Sequence, residues 1–152
     1  MIVPLASSDD IVLDLPYPPS VNRLWRSSAK DGTGKVYLSP SYVKWKASAD
    51  VMLMAHRGWT MKRITGFFSA DIALCPPKGQ QRGDIDNRIK ALLDFLQRTT
   101  VIVNDKHCQL VCAYWVEREM APEGARVTVK PWKARGVNDV LRTAAERLEA
   151  AR

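Results

Sequence analysis

Gly83-Asp84-Ile85-Asp86-Asn87-Arg88-Ile89-Lys90-Ala91-Leu92-Leu93-Asp94-Phe95-Leu96 is the stretch around which the rest of this 152-residue chain is organised. Ile85, Ile89, Leu92, Leu93 and Leu96 fall at i, i+4, i+7, i+8 and i+11, one apolar stripe along a helix. Asp84 and Asp86 stand two apart, a spacing that puts both side chains on one face only where the backbone is extended. The pair therefore marks a loop leaving Gly83 and entering the helix at its N-terminus. Lys90 follows Asp86 by one turn on the same helical face. Further on, the apolar run Val101-Ile102-Val103 stops at Asn104-Asp105, which places a third carboxylate where the chain turns back.

Two readings of these side chains are open at this level. Asp86 serves as a helix N-cap and Lys90 pairs with Asp94 four residues on, as helices commonly arrange. Alternatively Asp84, Asp86 and Asp105 converge in the fold as hard oxygen ligands for magnesium or manganese. Such an ion neutralises phosphate charge and activates water, and an ammonium such as Lys90 adds a fixed positive charge beside a developing oxyanion.

Outward from this centre the chain reads as one α/β (α+β) domain spanning residues 1–152, with about three helices on a mixed sheet of about four to five strands. Ile11 to Leu15 alternates as a strand and stops at Pro16; Val36 to Leu38 is a short strand after a loop over residues 27–35. Ser39-Pro40-Ser41 starts a helix that Tyr42, Trp45, Ala49, Met52 and Leu53 carry to about Arg57, with Trp45 and Met52 in the core. Ile64 to Leu74 is a strand stopped by Cys75-Pro76-Pro77. Gln109 to Glu117 and Ala125 to Lys130 read as two adjacent strands joined by a turn at Met120 to Gly124. Val137, Val140, Leu141, Ala144, Ala145 and Leu148 form the stripe of a last amphipathic helix, residues 137–152, able to pack on its own sheet or on a second subunit.

Composition narrows the class. With 46% hydrophobic and 26% charged residues the chain has the make-up of a globular domain, and its length suffices for a core without covalent staples. No apolar run reaches the ~18 to 20 residues of a membrane span, and no basic region followed by an apolar core stands at the start, so neither a membrane anchor nor a signal peptide is expected. Cys75, Cys108 and Cys112 are odd in number and without metal-ligand spacing, which predicts free thiols and a cytoplasmic setting. A net charge of +7 suits a polyanionic partner. Lys78, Arg82 and Arg88 flank the acidic pair, an arrangement that would let a polyanion approach acidic ligands screened by metal ions. His56 and His107 carry no motif, although His107 stands two residues from Asp105.

Asp84, Asp86, Asn87, Lys90 and Asp105, together with Pro18, Pro19, Ser20, Asn22 and Arg23 near the N-terminus, resemble the two motifs of the RusA family of Holliday junction resolvases. The likeness spans roughly residues 11 to 130 and leaves the last helix outside the family core. One local departure is Asn104-Asp105, where the family often has two consecutive aspartates. Membership implies an endonuclease that resolves four-way DNA junctions in recombination and repair, dependent on magnesium with manganese as a substitute, and acting as a homodimer that makes paired symmetric nicks. It also implies Asp84, Asp86 and Asp105 as metal ligands and Lys90 as the catalytic lysine. Asn22, Arg23, Arg26, Lys78, Arg82 and Arg88 are the expected DNA-binding residues, and Trp25 either packs or stacks on an unpaired base. The rival expectations are a protein that binds branched DNA without cutting it and a nuclease that prefers flaps or forks.

Overall fold

A four-stranded mixed sheet organises the molecule in the order β1 (Ile11–Leu15), β6 (Gly124–Pro131), β4 (Phe68–Cys75), β5 (Cys108–Trp115). A separate antiparallel hairpin joins β2 (Trp25–Ser27) to β3 (Val36–Leu38). The helices are α1 (Pro40–Arg57), α2 (Asp86–Arg98) and α3 (Val137–Ala150), with 3-10 turns at Val21–Arg23 and Asp105–His107. This computed structural model describes residues 9–23, 25–27, 34, 36–57, 62–118, 122–133 and 136–150; the side chains of Arg23, Trp25, Arg26, Ser27 and Arg57 lie outside the description, as does most of the 27–35 loop. Among the described residues no helix is long and apolar enough to cross a membrane.

Strand alternation sorts the sheet into two faces. Leu13 and Leu15 of β1, Val127 and Val129 of β6, and Phe68, Ala70, Ile72 and Leu74 of β4 all point to one side and are buried. Against them α1 brings Tyr42, Trp45, Ala49 and Leu53, and α2 brings Leu92, Phe95 and Leu96. Trp45 meets Phe95 edge-on at 5.5 Å between ring centroids, and its indole N–H donates to the Pro16 carbonyl at 3.0 Å. That bond satisfies the one polar atom of a buried ring.

The strand order corrects one expectation. β5 and β6 are not neighbours: β4 lies between them, parallel to β5 and antiparallel to β6. The reason is the crossover through α2, which returns the chain to the end where β4 began and so makes β5 its parallel neighbour. β6 then fills the other edge of β4. The expected strand from Ile64 is also shortened, because Ile64 makes only an isolated bridge to Ile102 and the ladder begins at Phe68. At the far corner Gly124 has φ +132°, and a Cβ there would sit 2.4 Å from the Leu15 carbonyl oxygen, so only glycine allows β6 to start against the end of β1.

The C-terminus of α2 sets the path of the chain toward Asp105. Val101 N–H donates to the Leu96 carbonyl and Thr100 N–H to that of Gln97, both at 3.0 Å, the paired bonds of a Schellman ending. Its left-handed position is taken by Thr100 at φ +59°, where glycine is the usual occupant. Val101 and Ile102, fully buried, then pin the chain before Asp105.

Candidate active site

The two sequence motifs, some sixty residues apart, are joined in space at the start of α2. Arg88, on the buried side of the helix, donates from Nη1 to the Pro18 carbonyl at 2.6 Å and lays its guanidinium over the Tyr17 ring at 4.7 Å. The Tyr17 hydroxyl in turn donates to the Arg82 carbonyl at 2.9 Å. Burial raises the Tyr17 phenol above its ordinary pKa, with Arg88 and Arg82 opposing, so it acts as a neutral donor. The 3-10 turn carrying Asn22 packs beside α2 as a result. Gly83, at φ +65°, makes the bend that delivers Asp84 to the helix start, and its open side faces Arg88.

Asn87 links the acidic pair. Its side-chain amide donates to Asp84 Oδ2 at 3.1 Å while its backbone N–H donates to Asp86 Oδ1 at 2.8 Å. Asp86 is the first helical residue rather than the cap, which is Ile85. Along the exposed face Asp86, Lys90, Asp94 and Gln97 follow at i, i+4, i+8 and i+11. Lys90 Nζ bridges Asp94 Oδ1 at 2.7 Å and Asp105 Oδ2 at 3.1 Å, so the within-helix pairing and the contact to the third aspartate are both present. Gln97 accepts the Asp105 backbone N–H at 2.9 Å and so sets the 3-10 turn against the helix. The hydrogen bonds to Asp94 first, and to Asp105 second, raise the Lys90 pKa, which keeps it an ammonium at neutral pH.

In kind, this donor set suits a hard divalent ion: three surface carboxylates and no soft ligand in the cluster. In placement it is incomplete, for among the described residues no three acidic, histidine or cysteine side chains converge closely enough to hold an ion. Asp84 and Asp86 form one half and Asp105, engaged by Lys90, the other.

The basic residues divide differently from expectation. Arg88 is 9% exposed and turned inward, with Nε buried and unpartnered among the described residues, so it braces the two motifs instead of meeting solvent. Arg82 is exposed, paired with Glu117 and lying 5.8 Å over the Trp115 ring. Lys78 is exposed, its backbone N–H donating to the Glu123 carboxylate at 3.0 Å. Asn22 is exposed; the Arg23, Trp25 and Arg26 side chains lie outside the described residues. Gln97 was not singled out by the sequence reading, although its helical spacing from Asp86 placed it on the same face.

Fold and cluster together define a class: a single α+β domain with an acid and lysine site at the head of its crossover helix. The chain matches the family described as endodeoxyribonuclease RusA over residues 16–130. It is 31% identical over 121 residues to the crossover junction endodeoxyribonuclease RusA of Aquifex aeolicus (strain VF5), covering 79% of this chain and 88% of that protein. The chain belongs to the RusA family and is a nuclease.

Proposed function

We propose that this protein is a magnesium-dependent endonuclease that resolves four-way DNA junctions in recombination and repair, cutting two symmetry-related strands as a homodimer. The observation that carries the reading is the joining of the two motifs at the start of α2, together with the Lys90–Asp105 contact, in a chain of this family. Asp84, Asp86 and Asp105 are the carboxylates that would hold magnesium, or manganese in its place. Bound there, the ion would supply charge neutralisation at the phosphate and an activated water.

The chain's own groups do the remaining work. Lys90, held as an ammonium, offsets charge on the phosphate oxygens as the bond breaks. Asn87 and Gln97 orient the carboxylates, the first through Asp84 and Asp86 and the second through the backbone of Asp105. Arg82 and Lys78 are the exposed cations assigned to the DNA backbone, and Asn22, Arg23 and Arg26 of the other motif are its further proposed contacts. Two-fold symmetry in a dimer matches two equivalent strands of a junction, and each nick leaves a 5′-phosphate and a 3′-hydroxyl.

The test compares a synthetic four-way junction, a fork and a linear duplex, with and without magnesium. Junction cleavage that requires magnesium and exceeds that of fork and duplex is expected, and Asp86→Asn should abolish it while junction affinity changes less than about threefold. Wild-type rates in D86N would remove Asp86 from the site. Magnesium-independent binding with no product would favour a branched-DNA binder, and preferred cutting of the fork would move the substrate to flaps or forks.

A further inference from the structure

Ahead of β4, the chain from Lys62 to Phe67 runs beside the segment that leads into the site. Ile64 bridges Ile102, and its N–H donates to the Val101 carbonyl at 2.9 Å. This strip, with Ile11 and Trp132, lines an open groove of about 570 Å³, within the ~300–1,000 Å³ typical of small-ligand sites. Phe67 stands in it 59% exposed, an unusual position for a phenylalanine at the mouth of a core strand. Its ring meets His107 edge-on at 5.6 Å, and its carbonyl accepts the Trp132 N–H at 2.9 Å, so two aromatic side chains are held on adjoining backbone. Lys62 and Arg63 are exposed along the same edge, against one acidic lining residue, Asp9.

The geometry points to this groove as a subsite for an unpaired nucleotide at the branch point of the DNA, with its base on Phe67 and its phosphates beside Lys62 and Arg63. The assignment rests on the branched-DNA reading of the neighbouring site. Its chemistry is that of single-strand recognition, in which an aromatic face takes any base and flanking cations follow the backbone. Continuity supplies the rest of the reason. His107 touches Phe67 and belongs to the same 3-10 turn as Asp105, so the groove adjoins the turn that carries the third aspartate. Inside an intact duplex arm every pair is stacked on both sides, whereas the pairs that border a branch point lose part of that stacking and open at lower cost.

The test measures binding of the full-length protein to a four-way junction and to a linear duplex by fluorescence anisotropy in EDTA, so that cleavage does not intrude. Phe67→Ala should weaken junction binding about tenfold and duplex binding less than twofold, with an unchanged urea midpoint verifying the fold. Phe67→Trp should restore the junction preference, and Phe67→Leu should not, since leucine replaces the bulk without the π-face. Arg63→Gln should lower the salt slope of junction binding by about one. Unchanged junction affinity in F67A overturns the subsite, and so does full rescue by F67L or loss of a dimer in F67A, either of which assigns the ring to apolar packing or to a contact between copies. A wild-type protein that binds junction and duplex equally overturns the functional reading together with the subsite; one that prefers and cuts junctions while F67A does the same overturns the subsite alone.

Discussion

The two faces of the sheet are built on different physics. Toward α1 and α2 every side chain from Phe68 to Leu74 that faces the helices is apolar and fully buried, closed by Phe95, Leu92 and Leu96. On the reverse face β4 presents Ser69 and Asp71. There Asp71 accepts from Arg147 of α3 at 3.0 Å and pairs with Lys130 of β6 at 3.2 Å, while Arg147 also donates to Ser69 at 2.8 Å. Asp71 and Arg147 side chains are each 14% exposed. None of the residues of α3 is fully buried, and Val137, Leu141 and Leu148 face solvent. Apolar burial is non-directional and gains with area, whereas a half-buried ion pair recovers most of what desolvation costs and fixes position more than it adds stability. The helix that carries the site is thus seated by the core, and α3 is seated by a polar latch.

Breaking the first face should cost most. Phe95→Ala removes a ring that fills the space between Trp45 and the sheet, and a loss of about 3–5 kcal/mol is expected in urea unfolding. A loss near that of a surface substitution would mean that α2 is not anchored by this core. The second face should yield less: Arg147→Ala strips two hydrogen bonds but leaves Asp71 its contact with Lys130, for an expected loss of about 1–3 kcal/mol, accompanied by earlier proteolytic cleavage within α3. Equal losses in the two variants would erase the distinction between the faces.

The smallest effect concerns the exposed end of the reverse face. Arg126 donates to both oxygens of Asp14, at 2.7 and 3.0 Å, and that bonding holds the Asp14 carboxyl below its ordinary pKa despite the opposing effect of burial. A lowered folded-state pKa adds stability that is complete above the unfolded value of about 3.9 and disappears as the pH falls through the folded value. The gap in urea midpoint between wild type and Arg126→Gln should therefore be present at neutral pH and close as the pH falls below the unfolded value and through the folded one. A gap that does not change with pH would separate the effect from ionisation of Asp14.

Local elements were readable in the sequence because their signals are local. The strand Ile11–Leu15, the helix beginning at Pro40, the helix under the apolar stripe to Leu96 and the helix from Val137 all stand where periodicity and breakers placed them. Strand order was not readable, since the insertion of β4 between β5 and β6 depends on pairings between distant segments. Within the site, the pairing of Lys90 with Asp94 was visible as spacing, Asp105 entered through the family resemblance, and Arg88 was misjudged by its charge. It lies three and four residues before Ala91 and Leu92 on the buried face, and that phase, weighed above its charge, would have turned it inward. The incomplete convergence of Asp84 and Asp86 with Asp105 has no sequence signal, because it depends on how segments distant in the chain are placed in the fold.

The Schellman ending at Thr99 to Val101 makes the distance between Lys90 and Asp105 a matter of chain length. Thr100 turns the backbone once, Val101 and Ile102 are sunk in the core, and Gln97 catches the backbone at Asp105, so no slack remains between helix and turn. A single residue inserted between Thr99 and Asn104 would move Asp105 away from Lys90, while the exposed loop from Lys78 to Gln81 has room to lengthen. Insertions and deletions collected across a library should therefore spare the first segment and accumulate in the second.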